Sequence, residues 1–381
     1  MPKHTQLKIL IIGCLFLTAI VAQVNYASDS FKTSGDFRLR VESNSNREGN
    51  KQNRLRNRIR FRTVGEYQVN PYFIVNARIA TGNLDDPNSL HQTIGTVFNQ
   101  ALFSLDRVYV RFKYKDLEIN AGKFSHPFKT PAVHKELVWD ADIGSEGITV
   151  EYMWRAADSL TIDLMGVEYI LLEQDNSGDA TLSAGQAALN LSYDSISVTA
   201  AGGIYKYFKL DALDIGANGL AKLVREDNAG NAVVDIDGDG VADAFASDFT
   251  IFDGFINLTY NAEFARKFQP ITLSLQFFKN LDAHIEQDTG FAVGIRLRDI
   301  KAKGDFKFYY NFQSVEQDSV FSAFAQDNFL ASTNFRGHLF GITCRLLDRT
   351  DLNLYGLLSK RNEPEEKGFQ TRLRIDLNLS F

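Results

Sequence analysis

The chain has 381 residues, 23% of them charged, with 30 Phe, 14 Tyr, 7 Pro, 2 Cys and a formal net charge of -6. That acidity excludes a general nucleic-acid binder. Beyond the N-terminus there is no run of about 18 apolar residues that would cross a membrane as a helix.

Lys3 and Lys8 precede an apolar or small run from Ile9 to Ala22, which is too short to span and right for the core of an export signal. A signal peptide is expected over residues 1–22, with cleavage after Ala22 or as late as residue 27. Losing Lys3 and Lys8 takes the net charge from -6 to -8. Ile11-Ile12-Gly13-Cys14 loosely resembles a lipoprotein box, but too few apolar residues precede it, so Cys14 is read as part of the leader. Cys344 then stands alone, and no intrachain disulfide framework is expected despite an oxidising destination.

Residues 31–381 read as a single domain. Gly35 to Glu42 alternates Phe37, Leu39 and Val41 with Arg38 and Arg40. Asn53 to Thr63 then sets Arg54, Arg56, Arg58, Arg60 and Arg62 at every second position, with Leu55, Ile59 and Phe61 between them and Asn57 as an interruption. A period of two separates these sets onto opposite faces of a strand. Five guanidiniums without five carboxylates cannot face a dry core. One face therefore needs water or polyanion and the other something apolar, a condition met by a membrane barrel with a wet lumen.

The alternation continues. Phe73, Val75, Ala77 and Ile79 oppose Asn76 and Arg78; Val108, Val110 and Phe112 oppose Arg107 and Arg111; Leu117, Ile119, Ala121 and then Ile148, Val150, Tyr152 follow. Further strands are expected at 159–170, 184–193, 195–207, 249–261, 270–279, 289–298, 304–312, 335–347, 351–360 and 369–381. In the last, Phe369, Leu373, Ile375, Leu377, Leu379 and Phe381 face away from Arg372, Arg374, Asp376 and Asn378. The expected fold is all-β: a 16-stranded antiparallel up-and-down transmembrane barrel. Short turns alternate with long connections, notably 82–101, 125–146, 208–248 and 313–333. A soluble sandwich would not keep this loop rhythm over the whole chain.

Phe381 at the end of an alternating strand resembles the C-terminal signal by which outer-membrane proteins engage the barrel-assembly machinery. The stretches Gly35-Asp36-Phe37-Arg38-Leu39-Arg40, Asn53-Arg54-Leu55-Arg56-Asn57-Arg58, Ala80-Thr81-Gly82-Asn83, Leu105-Asp106-Arg107, Ala121-Gly122-Lys123-Phe124 and Val138-Trp139-Asp140 resemble the bacterial putative-porin family. The resemblance covers most of residues 31–155 and the last strand, and the layout is similar to 16-stranded general porins. It implies a diffusion channel, a homotrimer, and a third long loop folded into the lumen; here that loop is Ser125 to Glu146.

In a closed barrel the last strand pairs with the first. Arg372 and Arg374 then join Arg38, Arg40, the five-arginine ladder, Arg78, Arg107 and Arg111 in one basic lumen wall. Glu136, Asp140, Asp142 and Glu146 of the third loop would oppose it and form a selectivity constriction; alternatively the loop lies outside and the arginines simply solvate the lumen. Asp235, Asp237, Asp239 and Asp243, with Gly240 between them, carry the spacing of a calcium loop. Ala246 stands where a bidentate acid is expected, so a hydrophilic surface loop is the other reading. No cofactor is required. His91, His126, His134, His284 and His338 sit in no metal or nucleophile motif, and no enzyme is expected. The expected function is an outer-membrane porin passing small hydrophilic solutes and ions, with outer-membrane lipid around it and no nucleic-acid partner. A solute-specific transporter or ligand-binding receptor barrel is the alternative.

Overall fold

The computed structural model describes residues 30–47, 51–82, 86–174, 178–210, 230–236, 238, 244–261, 270–362 and 368–381. The segment expected to be a signal peptide and three of the four calcium-loop aspartates, Asp237, Asp239 and Asp243, lie outside the described residues.

The main sheet has 17 strands among the described residues: sixteen in the wall and the two-residue Gln92–Thr93, which pairs antiparallel with the arginine ladder at Arg58 and Ile59. The wall strands in chain order are β1 (Phe31–Ser45), β2 (Arg54–Gln68), β3 (Phe73–Thr81), β4 (Phe103–Tyr114), β5 (Leu117–Phe124), β6 (Ser145–Ala157), β7 (Leu160–Leu172) and β8 (Ala180–Tyr193). They continue as β9 (Ile196–Phe208), β10 (Thr250–Tyr260), β11 (Ile271–Asn280), β12 (Thr289–Leu297), β13 (Phe306–Val315), β14 (Phe335–Leu347), β15 (Thr350–Arg361) and β16 (Gln370–Ser380). Each pairs antiparallel with the next, and β16 pairs with β1, so the barrel closes. Among the described residues no helix is long and apolar enough to cross a membrane.

The two faces are inverted relative to a water-soluble fold. Leu39, Val41, Val75, Leu275, Val293 and Ile375 point outward and are exposed, whereas Arg374, Asn311, Thr272 and Ser274 point inward and are buried. A continuous apolar exterior of this size is stable only against lipid.

The closing seam is tight. Gly35 and Phe381 exchange backbone hydrogen bonds of 3.0 Å each. A side chain at Gly35 would sit 2.5 Å from the Phe381 ring, which also stacks on Phe61 at 5.9 Å. The C-terminal aromatic is thereby locked over the junction of the first, second and last strands.

The third long loop leaves β5 and enters β6 beside Gly122 and Gly147, which pair across the two strands with φ of 125° and 152°. A Cβ at either would run into the neighbouring strand's carbonyl oxygen, that of Val108 or of Glu168. Within the loop, His126 stacks on Trp139 at 4.9 Å, and its Nδ1 lies 2.8 Å from the Tyr169 hydroxyl. Burial pushes this imidazole down to about 3, so it packs as a neutral ring. Trp139 continues onto Phe324, and Phe324 onto Phe321, so the third loop and the 316–334 connection share an aromatic core inside the barrel.

Candidate functional site

Strand register brings the basic residues together. Arg38 faces Arg60, Arg40 faces Arg58, and Glu42 faces Arg56 across β1 and β2, while Arg40 meets Asp376 and Glu42 meets Arg374 across β1 and β16. Arginines opposite one another repel unless acids intervene. Among the described residues the five-arginine ladder is accompanied from the wall by two carboxylates, Asp36 and Glu42 of β1, fewer than five.

Asp36 accepts from Arg60 Nη2 at 2.9 Å and from Arg62 Nε at 2.7 Å. Asp376 accepts two bonds from Arg40, at 2.7 and 2.8 Å. Glu42 takes Arg56 Nε at 2.6 Å and Arg374 Nε at 2.7 Å. Arg78 pairs with Asp106, placed inward by a register shift between Arg78 and Ile79. Arg58 has no carboxylate partner among the described residues; it donates to Ser89 Oγ at 3.0 Å and to the His91 carbonyl at 3.2 Å. Arg372 donates to the carbonyls of Asp327, Asn328 and Phe329 at 2.7–3.0 Å.

Opposite this wall, the third loop crosses the lumen. On the far side, Lys129 and Gln186 exchange bonds of 2.8 and 3.1 Å, the Ala132 amide reaches Asn257 at 2.9 Å, and the Val133 amide reaches Ser274 at 3.2 Å. On the near side, Asp142 lies 3.3 Å from Arg62 and 3.8 Å from Arg60, and Arg107 donates to the Ala141 carbonyl at 2.8 Å.

Two other connections enter as well. Asn88 donates to the Ala325 carbonyl at 2.9 Å, joining the 82–101 loop to the 316–334 loop. Asn328 donates to Glu136 at 3.2 Å, joining the latter to the third loop. Between wall and loops remains a cavity of about 230 Å³. Arg38, Arg40 and Arg60 line one side, Glu136, Asp140, Asp142 and Asp327 the other, with Asp376 and Tyr355 at the wall. Burial first, then the nearby Asp142 and Asp327 carboxylates, pushes Glu136 up to about 7. Burial together with Glu136 and Asp327 holds Asp140 well above the ordinary carboxylate range. Glu136 also adopts a φ of 75°, a left-handed backbone that a residue with a side chain enters only under constraint.

Of the expected site residues, Arg54, Arg56, Arg58, Arg62, Arg78, Arg107, Arg111, Arg372, Arg374 and Glu146 do not line this cavity. Glu146 lies in β6 on the outer face, exposed and paired with Lys123 at 2.7 Å; the strand begins at Ser145, and alternation turns the next residue outward. Arg111 pairs with Glu118 at 3.1 Å, away from the cavity. Arg54 is exposed at the start of β2. Asp235, the one described aspartate of the expected calcium set, accepts the Gly238 amide at 2.7 Å. Asp36, Glu42, Asp106, Asp327 and Asp376 were missed as site residues. Asp36 and Glu42 share the parity of Arg38 and Arg40, and Asp376 that of Arg372 and Arg374, so their inward facing was readable; Asp106 was hidden by the register shift.

A closed barrel with an apolar exterior and a charged interior narrowed by its own loops is the architecture of a membrane-spanning pore protein. Residues 29–214 match the family described as putative porin, so the resemblance drawn from the motifs holds over that stretch. Among curated proteins none matches. Two similar solved structures are OprB of Pseudomonas putida at high pH and a double mutant of Rhodopseudomonas blastica porin. The first aligns with a TM-score of 0.62 at 12% identity, covering 94% of this chain and 96% of that one. The second aligns with a TM-score of 0.50 at 12% identity, covering 92% of this chain and 100% of that one. At this identity the likeness establishes the fold: a porin-type barrel.

Proposed function

We propose that the protein is an outer-membrane porin, through which small hydrophilic solutes and ions diffuse passively along the arginine wall and past the acidic loops. The observation that carries this reading is the polar cavity inside a lipid-facing barrel, bounded by charges of opposite sign. Such a lining exchanges a solute's hydration for fixed protein charges without requiring chemistry. Three loops share in narrowing the path, so size selection is set by packed loops rather than by the barrel's girth. Trimeric assembly and delivery by the barrel-assembly machinery rest on the resemblance and belong to the same proposal.

Liposomes containing the purified protein test it. In isosmotic solutions of a pentose, a hexose and a disaccharide, swelling is expected in that order of decreasing rate. Swelling no faster than protein-free liposomes for every sugar would remove the diffusion-channel reading.

A further inference from the structure

Four polar side chains, Tyr310, Arg336, His338 and Lys360, stand together on the outer face of β13, β14 and β15. β14 begins at Phe335, directly after the 316–334 connection. Phe335 packs on Phe329, and a Cβ at Gly337 would lie 2.6 Å from the same ring, so both residues face the inward loop. Alternation therefore turns Arg336 and His338 towards lipid at the long-loop end of the wall. In register, Arg336 faces Lys360 on one side and Ser314 on the other, while His338 faces Phe312. The Lys360 ammonium lies 5.8 Å from the centre of the Phe369 ring, and His338 Nδ1 lies 2.9 Å from the Tyr310 hydroxyl. Elsewhere on this outer face Lys123 pairs with Glu146 at 2.7 Å and Lys279 with Asp288 at 3.1 Å. Here the wall sets two cations directly opposite each other, an arrangement that draws an anion.

Below these groups, towards the short-turn end, the same face is sunken. Gly356 faces outward between Phe340 and Leu373, and a Cβ there would sit 2.8 Å from the Phe340 ring and 3.2 Å from Leu373. The Phe340 ring thus lies over the place that a side chain would take. A groove of about 640 Å³ crosses the wall here, lined by Ile295, Phe308, Tyr310, Ile342, Leu354 and Ile375 among others. Tyr309 packs against Gly341 from the lumen side and forms part of its floor. That volume holds roughly twenty groups the size of a water molecule, enough for a long hydrocarbon chain. Tyr310 belongs to both features, since it lines the groove and carries the contact to His338.

We infer that this face holds one phosphorylated lipid of the leaflet at the long-loop end. Its phosphate lies between Arg336 and Lys360, its ester oxygens at the Tyr310–His338 pair, and an acyl chain in the groove. The order of polarity down the wall, cations, then hydroxyl and imidazole, then apolar groove, is that of such a lipid from headgroup to chain. Arginine binds phosphate oxygens through charge-assisted hydrogen bonds. A zwitterionic lipid would instead bring its own cation beside the pair. A second copy of the chain docked here would bury two like charges side by side. The inference uses only the lipid-facing exterior and goes beyond the channel reading, which can fail without touching it.

Native mass spectrometry of the full-length barrel released from detergent tests it. Dilauroyl phosphatidate is the probe, with dilauroyl phosphatidylcholine and dilauroylglycerol as controls of the same chain length. One phosphatidate per barrel should be retained, at a concentration about tenfold below that needed for either control. Arg336→Gln combined with Lys360→Gln should abolish that preference. Ile342→Trp fills the groove, leaves both cations in place, and should weaken phosphatidate retention about tenfold. Circular dichroism in detergent checks that each variant is folded, and Leu354→Trp replaces Ile342→Trp should the latter not fold. Equal retention of phosphatidate and phosphatidylcholine would overturn the proposal, as would a preference unchanged in the double variant. Phosphatidate held as tightly with the groove filled would overturn it equally. A barrel that retains no lipid but self-associates, and stops doing so in Ile342→Trp, would make this face a surface for a second copy instead.

Discussion

Asp142 is the acid of the third loop that reaches the arginine wall, so replacing it with Asn is the sharpest perturbation of the constriction. The cavity lining carries Arg38, Arg40 and Arg60 against Glu136, Asp140, Asp142, Asp327 and Asp376, or three positive groups against five acidic ones. A unit charge about 7 Å from a passing ion in water is worth roughly 0.6 kcal/mol before screening, and about half that at 0.1 M salt. Removing it lowers the local cation concentration and raises that of anions, each by a factor of about 1.6, so the permeability ratio moves roughly 2.5-fold towards anions. Asp140→Asn should have a smaller effect at neutral pH, because burial and the neighbouring Glu136 and Asp327 already favour its protonated form. Neutralising Arg60 should move the ratio the other way by a similar factor. The assay is the reversal potential across a planar bilayer under a salt gradient, first near 0.1 M and then near 1 M, where the Debye length falls to about 3 Å and both shifts should nearly vanish. If Asp142→Asn keeps the parent's reversal potential at low salt, the third loop is not at the point of selection. If the Arg60 variant keeps it as well, ions do not pass along the arginine wall.

Lowering the pH from about 8 to about 5.5 should itself shift selectivity towards anions, since Glu136, held up to about 7, and Asp86, raised by burial to about 6, gain protons there while the arginines stay charged. The sign for stability is the same: these carboxyls bind protons more tightly in the folded barrel, so their contribution is present at low pH and is lost as pH rises through about 7, as denaturant titrations at the two pH values should show. Glu42→Gln should cost about 3–5 kcal/mol in detergent unfolding, because it strips the shared partner from Arg374, which is 2.7 Å away and buried, and from Arg56. Ile375→Arg should cost about 2–4 kcal/mol of folding into lipid, since Ile375 sits mid-strand on the outer face between Val41 and Leu354. Unfolding in lipid indistinguishable from the parent would contradict that register.

The wall of this barrel was legible because a period of two leaves no freedom. Once Arg58 faces inward, Ile59 must face outward, and a slip of one residue would put the whole ladder into lipid. The same rule explains the error at Glu146: drawing the loop to that residue, rather than to the start of β6 at Ser145, changed its face. Asp36, Glu42 and Asp376 lay on the legible faces, but their pairing with Arg60, Arg374 and Arg40 depends on register across strands that are distant in sequence. The course of the third loop had two readings in the sequence, and the contacts of His126 with Trp139 and of Trp139 with Phe324 link segments too distant in sequence to be read there. That the 82–101 and 316–334 loops also enter had no periodic signal. Asn88 and Asp327 sit in irregular segments, and side-chain contacts between loops, not alternation, place them at the cavity.

The central claim is that a continuous aqueous path runs through the barrel past the cavity between arginine wall and acidic loops. Single-channel recording of the purified full-length protein in a planar bilayer tests it most directly. Discrete, long-lived conductance steps are expected, reduced in the Asp142→Asn and Arg60→Gln variants' cation and anion currents respectively. A protein that inserts, resists protease as a folded barrel and yet gives no steps at any salt concentration would contradict the account.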